Sequence, residues 1–211
     1  MDRPILYDYW RSSASYRVRI ALNLAGIECE AVVVDLLGKA HKSPEHLARN
    51  PQGLVPALAI DGLMLTQSLA MIEYIIETRG VSLLPDDAAG RARVRALAHA
   101  IAMDIHPVCN MGVVAHVLEL AGGDDAMRVA WMRRFIGAGL EAFETLLDHP
   151  ATGTFCHGDA PGLADLCLIP QIYNAERWGA DISGLGRIQK IRAACDRLPA
   201  FAAAHPNRVK A

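Results

Sequence analysis

The sequence predicts two domains, an α/β domain over residues 1–84 and an all-α domain over residues 90–211. Three observations lead to this division. Short apolar runs of strand character fall only before Gln67, and the first two bracket a helical segment, as in a βαβ unit. The tetrapeptide Leu84-Pro85-Asp86-Asp87 then breaks the pattern and supplies a helix start. From Gly90 onward, apolar residues recur at the i, i+3, i+4 spacing of amphipathic helices.

Ile5–Tyr9 reads as a short strand, and Ser13–Ala25 as a helix closed by Gly26 in the C′ position. Glu30–Leu36 is a continuous β-branched run, the pattern of a buried parallel strand reached by a right-handed crossover. Residues 37–50 are polar, a loop with a short helix at Pro44–Arg49, and Asn50-Pro51-Gln52-Gly53 is a turn signal. Ala57–Ile60 and Met64–Thr66 flank Asp61-Gly62, a two-residue hairpin turn, before an apolar-faced helix over Gln67–Arg79. The order βαβ(α)ββα is that of a thioredoxin-like domain. Beyond the joint, Arg91–Leu120 is one long periodic segment with a kink at His106-Pro107 and Gly112. Ala126–Leu147, Leu163–Trp178 and shorter segments near 186–197 and 199–204 are helical, and the 206–211 tail frays. Trp131, Phe135 and Phe143 belong to the core, while Arg91, Arg93 and Arg95 form a solvated run at a helix start.

At 211 residues, 52 % hydrophobic and 21 % charged, the chain has the composition of a globular protein with a sizeable core. A net charge of −2 argues against an electrostatic nucleic-acid surface. No apolar run reaches the ~18–20 residues of a membrane span, and the opening Met-Asp-Arg-Pro-Ile-Leu lacks the regions of a secretory signal. Cys29, Cys109, Cys156, Cys167 and Cys195 are odd in number and form no Cys-x-x-Cys pair. That is the pattern of free thiols in a reducing cytoplasm.

Chemistry-bearing residues gather in three places. After the first strand, Arg11 leads into Ser12, Ser13 and Ser15 at a helix start. Serine is a preferred N-cap, and the positive end of the helix dipole favours anions, thiolates among them. No cysteine lies in this turn, so a thiol held here comes from a ligand. The second place is Val55-Pro56. A cis peptide bond there turns the Val55 N–H and C=O outward, to pair with a peptide-like ligand as an added strand. The alternative is a trans proline opening a strand at an edge. Third, Gln67 and Ser68 open the next helix. Its free amides and the Ser68 hydroxyl suit a carboxylate, and Gln67 offers donor and acceptor to an amino-acid head group. The plainer reading of Ser68 is a helix cap. Together, a thiolate site, a backbone-pairing site and an α-carboxylate site along one domain edge form the layout for a γ-glutamyl-cysteinyl-glycine ligand.

On these residues the chain resembles the glutathione S-transferases, and among them the zeta class of maleylacetoacetate and maleylpyruvate isomerases. The resemblance spans essentially the whole chain. It is carried by Tyr7–Leu22 (Tyr-x-Tyr-Trp-Arg-Ser-Ser-x-Ser-x-Arg-Val-Arg-Ile-Ala-Leu), by Asn50–Leu58 and by Gln67–Tyr74. The second half adds Asp104–Pro107, Gly158-Asp159, Ala164–Gln171 and Asn174–Arg177. The resemblance implies the glutathione S-transferase fold, a homodimer, and glutathione as cofactor. It makes Ser12, Ser13 and Arg11 catalytic, with the first serine favoured as the thiol activator. It places Ser13, Gln52, Val55, Pro56, Gln67, Ser68, His106 and Asn110 around glutathione, His106 toward the ligand of the partner subunit. For His106 a helix-kink role is the alternative. His41 reaches the glycine end of the ligand or is a solvated loop histidine.

The implied reaction is cis–trans isomerisation of a small unsaturated dicarboxylic keto acid. The thiolate adds to the double bond, the resulting single bond rotates, and elimination regenerates glutathione. Arg11 and Arg177 hold the carboxylates bidentately and stabilise the enolate, or else form surface or interdomain ion pairs. Conjugation of α-halo acids is the competing activity. A non-catalytic binding module is the other competitor, though such modules lose the activating hydroxyl and the Gln-Ser pair, both intact here. Three positions depart from the pattern. Ala14 replaces the usual cysteine, which puts in doubt side reactions through a mixed disulfide. Gly162 stands where a Ser or Thr usually caps the helix containing Asp165, a loss of a few tenths of a kcal/mol. Gly112 stands where some maleylpyruvate isomerases carry arginine, which tilts the substrate toward maleylacetoacetate. His41 and His46 have helical metal spacing without a third ligand, so no metal site is expected.

Overall fold

In the computed structural model, which describes residues 3–210, one mixed sheet organises the first part of the chain. Its strands are β1 (Ile5–Asp8), β2 (Glu30–Val33), β3 (Ala57–Ile60) and β4 (Leu63–Thr66), in the order β2-β1-β3-β4. β1 runs parallel to β2 through helix α1 (Ser13–Leu24) and antiparallel to β3, with Tyr7 opposite Ala57. β3 and β4 form the expected hairpin. Asp61 and Gly62 both have positive φ, 52° and 77°, which is what a type I′ turn demands and an Asp-Gly pair tolerates. A 3₁₀ turn (Ala40–Lys42) and α2 (Pro44–Arg49) fill the connection between β2 and β3. Helix α3 (Ser68–Arg79) follows β4 and packs on α1. This is the thioredoxin-like order.

The second unit, Leu83–Asp196, is helical. It contains α4 (Ala88–His99), a π-helical turn (Ala100–Ile105), α5 (Met111–Ala121), α6 (Asp125–Leu146), α7 (Leu163–Trp178) and α8 (Gly186–Cys195). Helix α7 is buried continuously from Leu163 to Ile172, as a helix apolar on all sides must be, and it packs against α4, α6 and α8. Its first turn is held by Asp165, whose Oδ2 accepts from Gly162 N at 2.8 Å and whose Oδ1 accepts from Cys156 N at 2.9 Å. Gly162 has a steric rationale. The Leu83 carbonyl, which accepts from Leu163 N at 2.9 Å, would lie 3.1 Å from any Cβ at position 162.

Several elements differ from expectation. The second strand ends at Val33 and is an edge strand, so Val33 is 62 % exposed and only Val34 of the run is fully buried. The anticipated long helix of Arg91–Leu120 is two helices. Pro107 and the chain through Asn110 separate them, and Asn110 restarts the helix by accepting from Gly112 N at 2.9 Å, so Gly112 is no kink. Arg93 is not solvated; it donates to Cys156 O (2.7 Å) and Thr152 Oγ1 (2.7 Å) and pins the 148–161 loop. Phe143 is fully buried, whereas Trp131 and Phe135 are half-buried with their rings tilted at 46° and centroids 4.5 Å apart, and Trp131 Nε1 donates to Val108 O.

The tail departs most from the expected 90–211 domain. From Arg197 on, the chain groups with the first unit. Helices α9 (Pro199–Ala204) and α10 (Pro206–Val209) do not fray. Helix α9 lies on α1 and α10 packs on α9, with Phe201 2 % exposed, Asn23 Nδ2 donating to Ala200 O (2.9 Å), and Tyr16 edge-on to His205. Arg19 closes this junction. Its Nε donates to Ala204 O (3.1 Å), its Nη2 to Trp10 O (3.0 Å), and its Nη1 to both oxygens of buried Asp8 (2.9 and 2.7 Å).

Candidate active site

The turn from Tyr9 to Ser12 joins β1 to α1, closed by Ser12 N donating to Tyr9 O at 2.8 Å. Ser12 is the N-cap of α1, with extended backbone (φ −68°, ψ 120°), and its Oγ accepts from Ser15 N at 3.2 Å. Accepting through oxygen leaves the Ser12 O–H to donate. Ser13 follows at the first helical position and is 4 % exposed. Arg11 lies over the Trp10 ring at 4.6 Å and donates to Tyr9 Oη at 3.1 Å, a cation fixed on an aromatic platform. Arg19 grips the same turn from beneath through Trp10 O and Asp8.

The loop before β3 is equally constrained. Buried Asn50 donates to Leu54 O (2.9 Å) and accepts from Gln52 N (3.1 Å), and His46 Nε2 also reaches Leu54 O at 2.9 Å. The Val55–Pro56 peptide bond is cis, and half-buried Val55 follows directly on this braced segment. Gln52 and Gln67 meet at the end of the loop, Gln67 Nε2 donating to Gln52 Oε1 at 2.8 Å. Gln67 precedes α3 rather than starting it. Its φ of 67° with ψ of 111° is a conformation that side chains rarely adopt, the kind of strain that collects at functional sites. Ser68, at the first turn of α3, is 7 % exposed and accepts from Arg17 Nη1 at 3.3 Å.

Within the first unit the structure therefore gathers Arg11, Ser12, Ser13, Gln52, Val55, Pro56, Gln67 and Ser68 around the starts of α1 and α3. His41 sits in the 3₁₀ turn, half-buried, with Nδ1 lacking a hydrogen-bond partner; burial first and then Lys42 push its pKa below the ordinary histidine value. His106, Asn110 and Arg177 belong to the second unit. His106 follows the π turn, and the Asn110 side chain caps α5. Arg177 occupies the last turn of α7, exposed, its guanidinium 4.8 Å from the Trp178 ring. Cations are favoured at a helix C-terminus.

Four residues that hold this site escape a sequence reading: Arg17, Arg19, His46 and Asn50. Asn50 carried a signal in its Asn-Pro-Gln-Gly turn. The two arginines carried none, because a basic residue on an amphipathic helix reads as solvated. Ala14 stands near the α1 start at the position where the family pattern has a cysteine, and burial pushes the thiols of Cys29 and Cys109 up to about 11 and raises those of Cys156 and Cys195 as well. Two helix starts bearing hydroxyls, bridged by a buried guanidinium, can hold a molecule with an anion at each end.

Comparisons with known proteins identify the family. Residues 4–77 match the family described as glutathione S-transferase, N-terminal domain. A maleylacetoacetate isomerase of Rhizobium meliloti (strain 1021) is 63 % identical over 210 residues, covering 99 % of each chain. The holo structure of a maleylpyruvate isomerase, a bacterial zeta-class enzyme, superposes with a TM-score of 0.95 at 42 % identity over 98 % of both chains. Maleylacetoacetate isomerase from Methylobacterium extorquens AM1, solved with malonate and glutathione bound, superposes with a TM-score of 0.94 at 43 % identity over 97 % of both. With its serine-lined α1 start, its Gln67-Ser68 pair and kinship over its whole length, this chain belongs to the zeta class of the glutathione S-transferase family.

Proposed function

We propose that the chain is a glutathione-dependent cis–trans isomerase of a small unsaturated dicarboxylic keto acid, with maleylacetoacetate as the preferred substrate. One observation carries the reading: the α1 start, with Ser12 poised to donate, and the α3 start, with Ser68, belong to one unit and are bridged by Arg17. That donor set fits glutathione, whose sulfur and α-carboxylate are the anions it would receive. The 63 % identity to a maleylacetoacetate isomerase supports the choice of substrate.

Glutathione, when bound, supplies a nucleophilic thiolate that adds reversibly to the conjugated double bond and so permits rotation. The residues of the chain set the conditions for that chemistry. The Ser12 hydroxyl and the positive end of α1 stabilise the negative sulfur, and Ser13 completes the pocket beside it. Gln67 and Ser68 receive the γ-glutamyl head group, Gln52 orients Gln67, and Val55 and Pro56 align the cysteinyl backbone. His41 approaches the glycine end. Arg11 and Arg177 hold the substrate carboxylates and counter the charge that develops on the keto acid. We assign the chain to the cytoplasm, consistent with five cysteines that form no disulfide among the described residues, and to a homodimer in which His106 attends glutathione of the partner subunit, with Asn110 also in the glutathione site.

The test is an assay of enzymatically generated maleylacetoacetate and, separately, maleylpyruvate, with and without glutathione. The expected result is glutathione-dependent turnover, faster on maleylacetoacetate. Ser12→Ala or Arg11→Ala is expected to lower kcat/KM by about 10²–10³, the scale of losing one preorganised charge-stabilising group. Retained glutathione binding without turnover on either acid would overturn the isomerase assignment and favour a transferase.

A further inference from the structure

Arg17 heads the fully buried side chains in size, being 2 % exposed, and it sits on α1 one turn beyond Ser13. Residues four apart share a helix face, so Arg17 extends from the face that carries Ser13. Its Nη1 donates to Ser68 Oγ at 3.3 Å, across the packing of α1 on α3. A serine hydroxyl has a single proton and accepts through its oxygen. When that oxygen accepts from a guanidinium, the O–H is turned away from the cation and becomes a stronger donor, since successive hydrogen bonds polarise one another. Burying a guanidinium costs free energy. Capping of α3 does not account for it, because the N-cap of that helix is Gln67 and no side chain makes a cap hydrogen bond there.

We propose that Arg17 is a positioning residue for the γ-glutamyl α-carboxylate of glutathione. It acts through Ser68, holding the hydroxyl in the donor orientation that the carboxylate needs and adding a buried positive charge behind it. The inference rests on the glutathione-dependent reading above. Its own content is that the contribution of Ser68 depends on Arg17.

The experiment measures Kd by calorimetry for glutathione and for 4-aminobutyryl-cysteinyl-glycine, which lacks only the α-carboxylate. The proteins are wild type, Arg17→Met, Arg17→Lys, Ser68→Ala and the Arg17→Met/Ser68→Ala double variant, each checked for folding by its Tm. Arg17→Met is expected to weaken glutathione about tenfold, the worth of a hydrogen bond involving a charged group. The same change is expected to alter the analogue by under about twofold, and to add under about twofold once Ser68 is alanine. Arg17→Lys, which keeps a charged donor, is expected to recover most of the loss. If Arg17→Met does not fold, Arg17→Gln, which removes the charge, takes its place in the comparison of the two ligands. Equal weakening of both ligands, or independent effects of the Arg17 and Ser68 changes, would overturn the inference and leave the function standing. Wild-type protein that binds no glutathione would remove the functional reading itself, and the inference with it.

Discussion

At the α1 start Ser12 Oγ accepts a backbone N–H, which leaves its O–H able to donate, while at the α3 start Ser68 Oγ accepts from a guanidinium in place of the amide. Ser12, Gln67 and Ser68 were legible in the sequence because caps and turn residues act locally, through neighbours two or three positions away. Arg17 was not, since its partner is far along the chain and its burial is decided by how α1 meets α3. The strain at Gln67 was likewise illegible, because a glutamine carries no mark of positive φ. His41 offers a prediction at this scale. Its folded-state pKa lies below the ordinary 6.5, with Lys42, His46 and Lys39 adding to burial, and burial also lowers that of His157. Below pH 6.5 the unfolded chain therefore binds more protons than the folded one, so stability falls on acidification and these histidines add no slope above that range. Urea unfolding between pH 7 and 5 checks the sign, and His41→Gln is expected to flatten part of the decline.

Among the elements, α6, with one face buried and Asp124 as its cap, and α7, buried on all sides along its first ten residues, lie close to their predicted bounds. β2 was misjudged because a β-branched run looks the same whether it is central or at an edge, and only the pairing order shows that β2 has one neighbour. The break between α4 and α5 was placed correctly at Pro107, but its extent depended on Asn110 capping anew. The cap of α7 carries the prediction here. Asp165 is buried and satisfies two backbone N–H groups, those of Gly162 and Cys156, while burial raises its pKa against the pull of those bonds. Asp165→Ala orphans both donors at the start of the most buried helix. The expected cost is about 3 kcal/mol, or roughly 9 °C in Tm for a chain of this length. Thermal unfolding reads it directly. A loss below about 1 kcal/mol would mean that neither donor depends on this carboxylate.

At the scale of the whole molecule, the βαβ-then-helices plan was visible because strand-like runs alternate with helical segments up to residue 66 and only helical spacing follows. The return of the tail was not, since α9 and α10 have the same apolar spacing wherever they dock. Arg19 ties that tail to the site: one guanidinium holds Ala204 O, Trp10 O and the Asp8 carboxylate. Arg19→Met leaves Asp8 buried without its cation, at an expected cost of about 3–5 kcal/mol. Removing residues 197–211 is expected to be at least as damaging and to raise the Kd for glutathione, because the Trp10 carbonyl above Arg19 belongs to the turn that ends in Ser12. Urea unfolding with glutathione titration distinguishes the two effects.

The return of the tail also sets an order of events during synthesis. The first unit is begun by segments made before the second unit and completed by α9 and α10, which are made after it. At about 5–20 residues per second, the β-sheet domain waits many seconds for α9 and α10, whereas the helical unit is contiguous and can close as it emerges. The usual vectorial order is thereby inverted. Of the two, the unit begun first is completed second, and the side of α1 that meets α9, Arg19 included, stands uncovered until α9 has emerged.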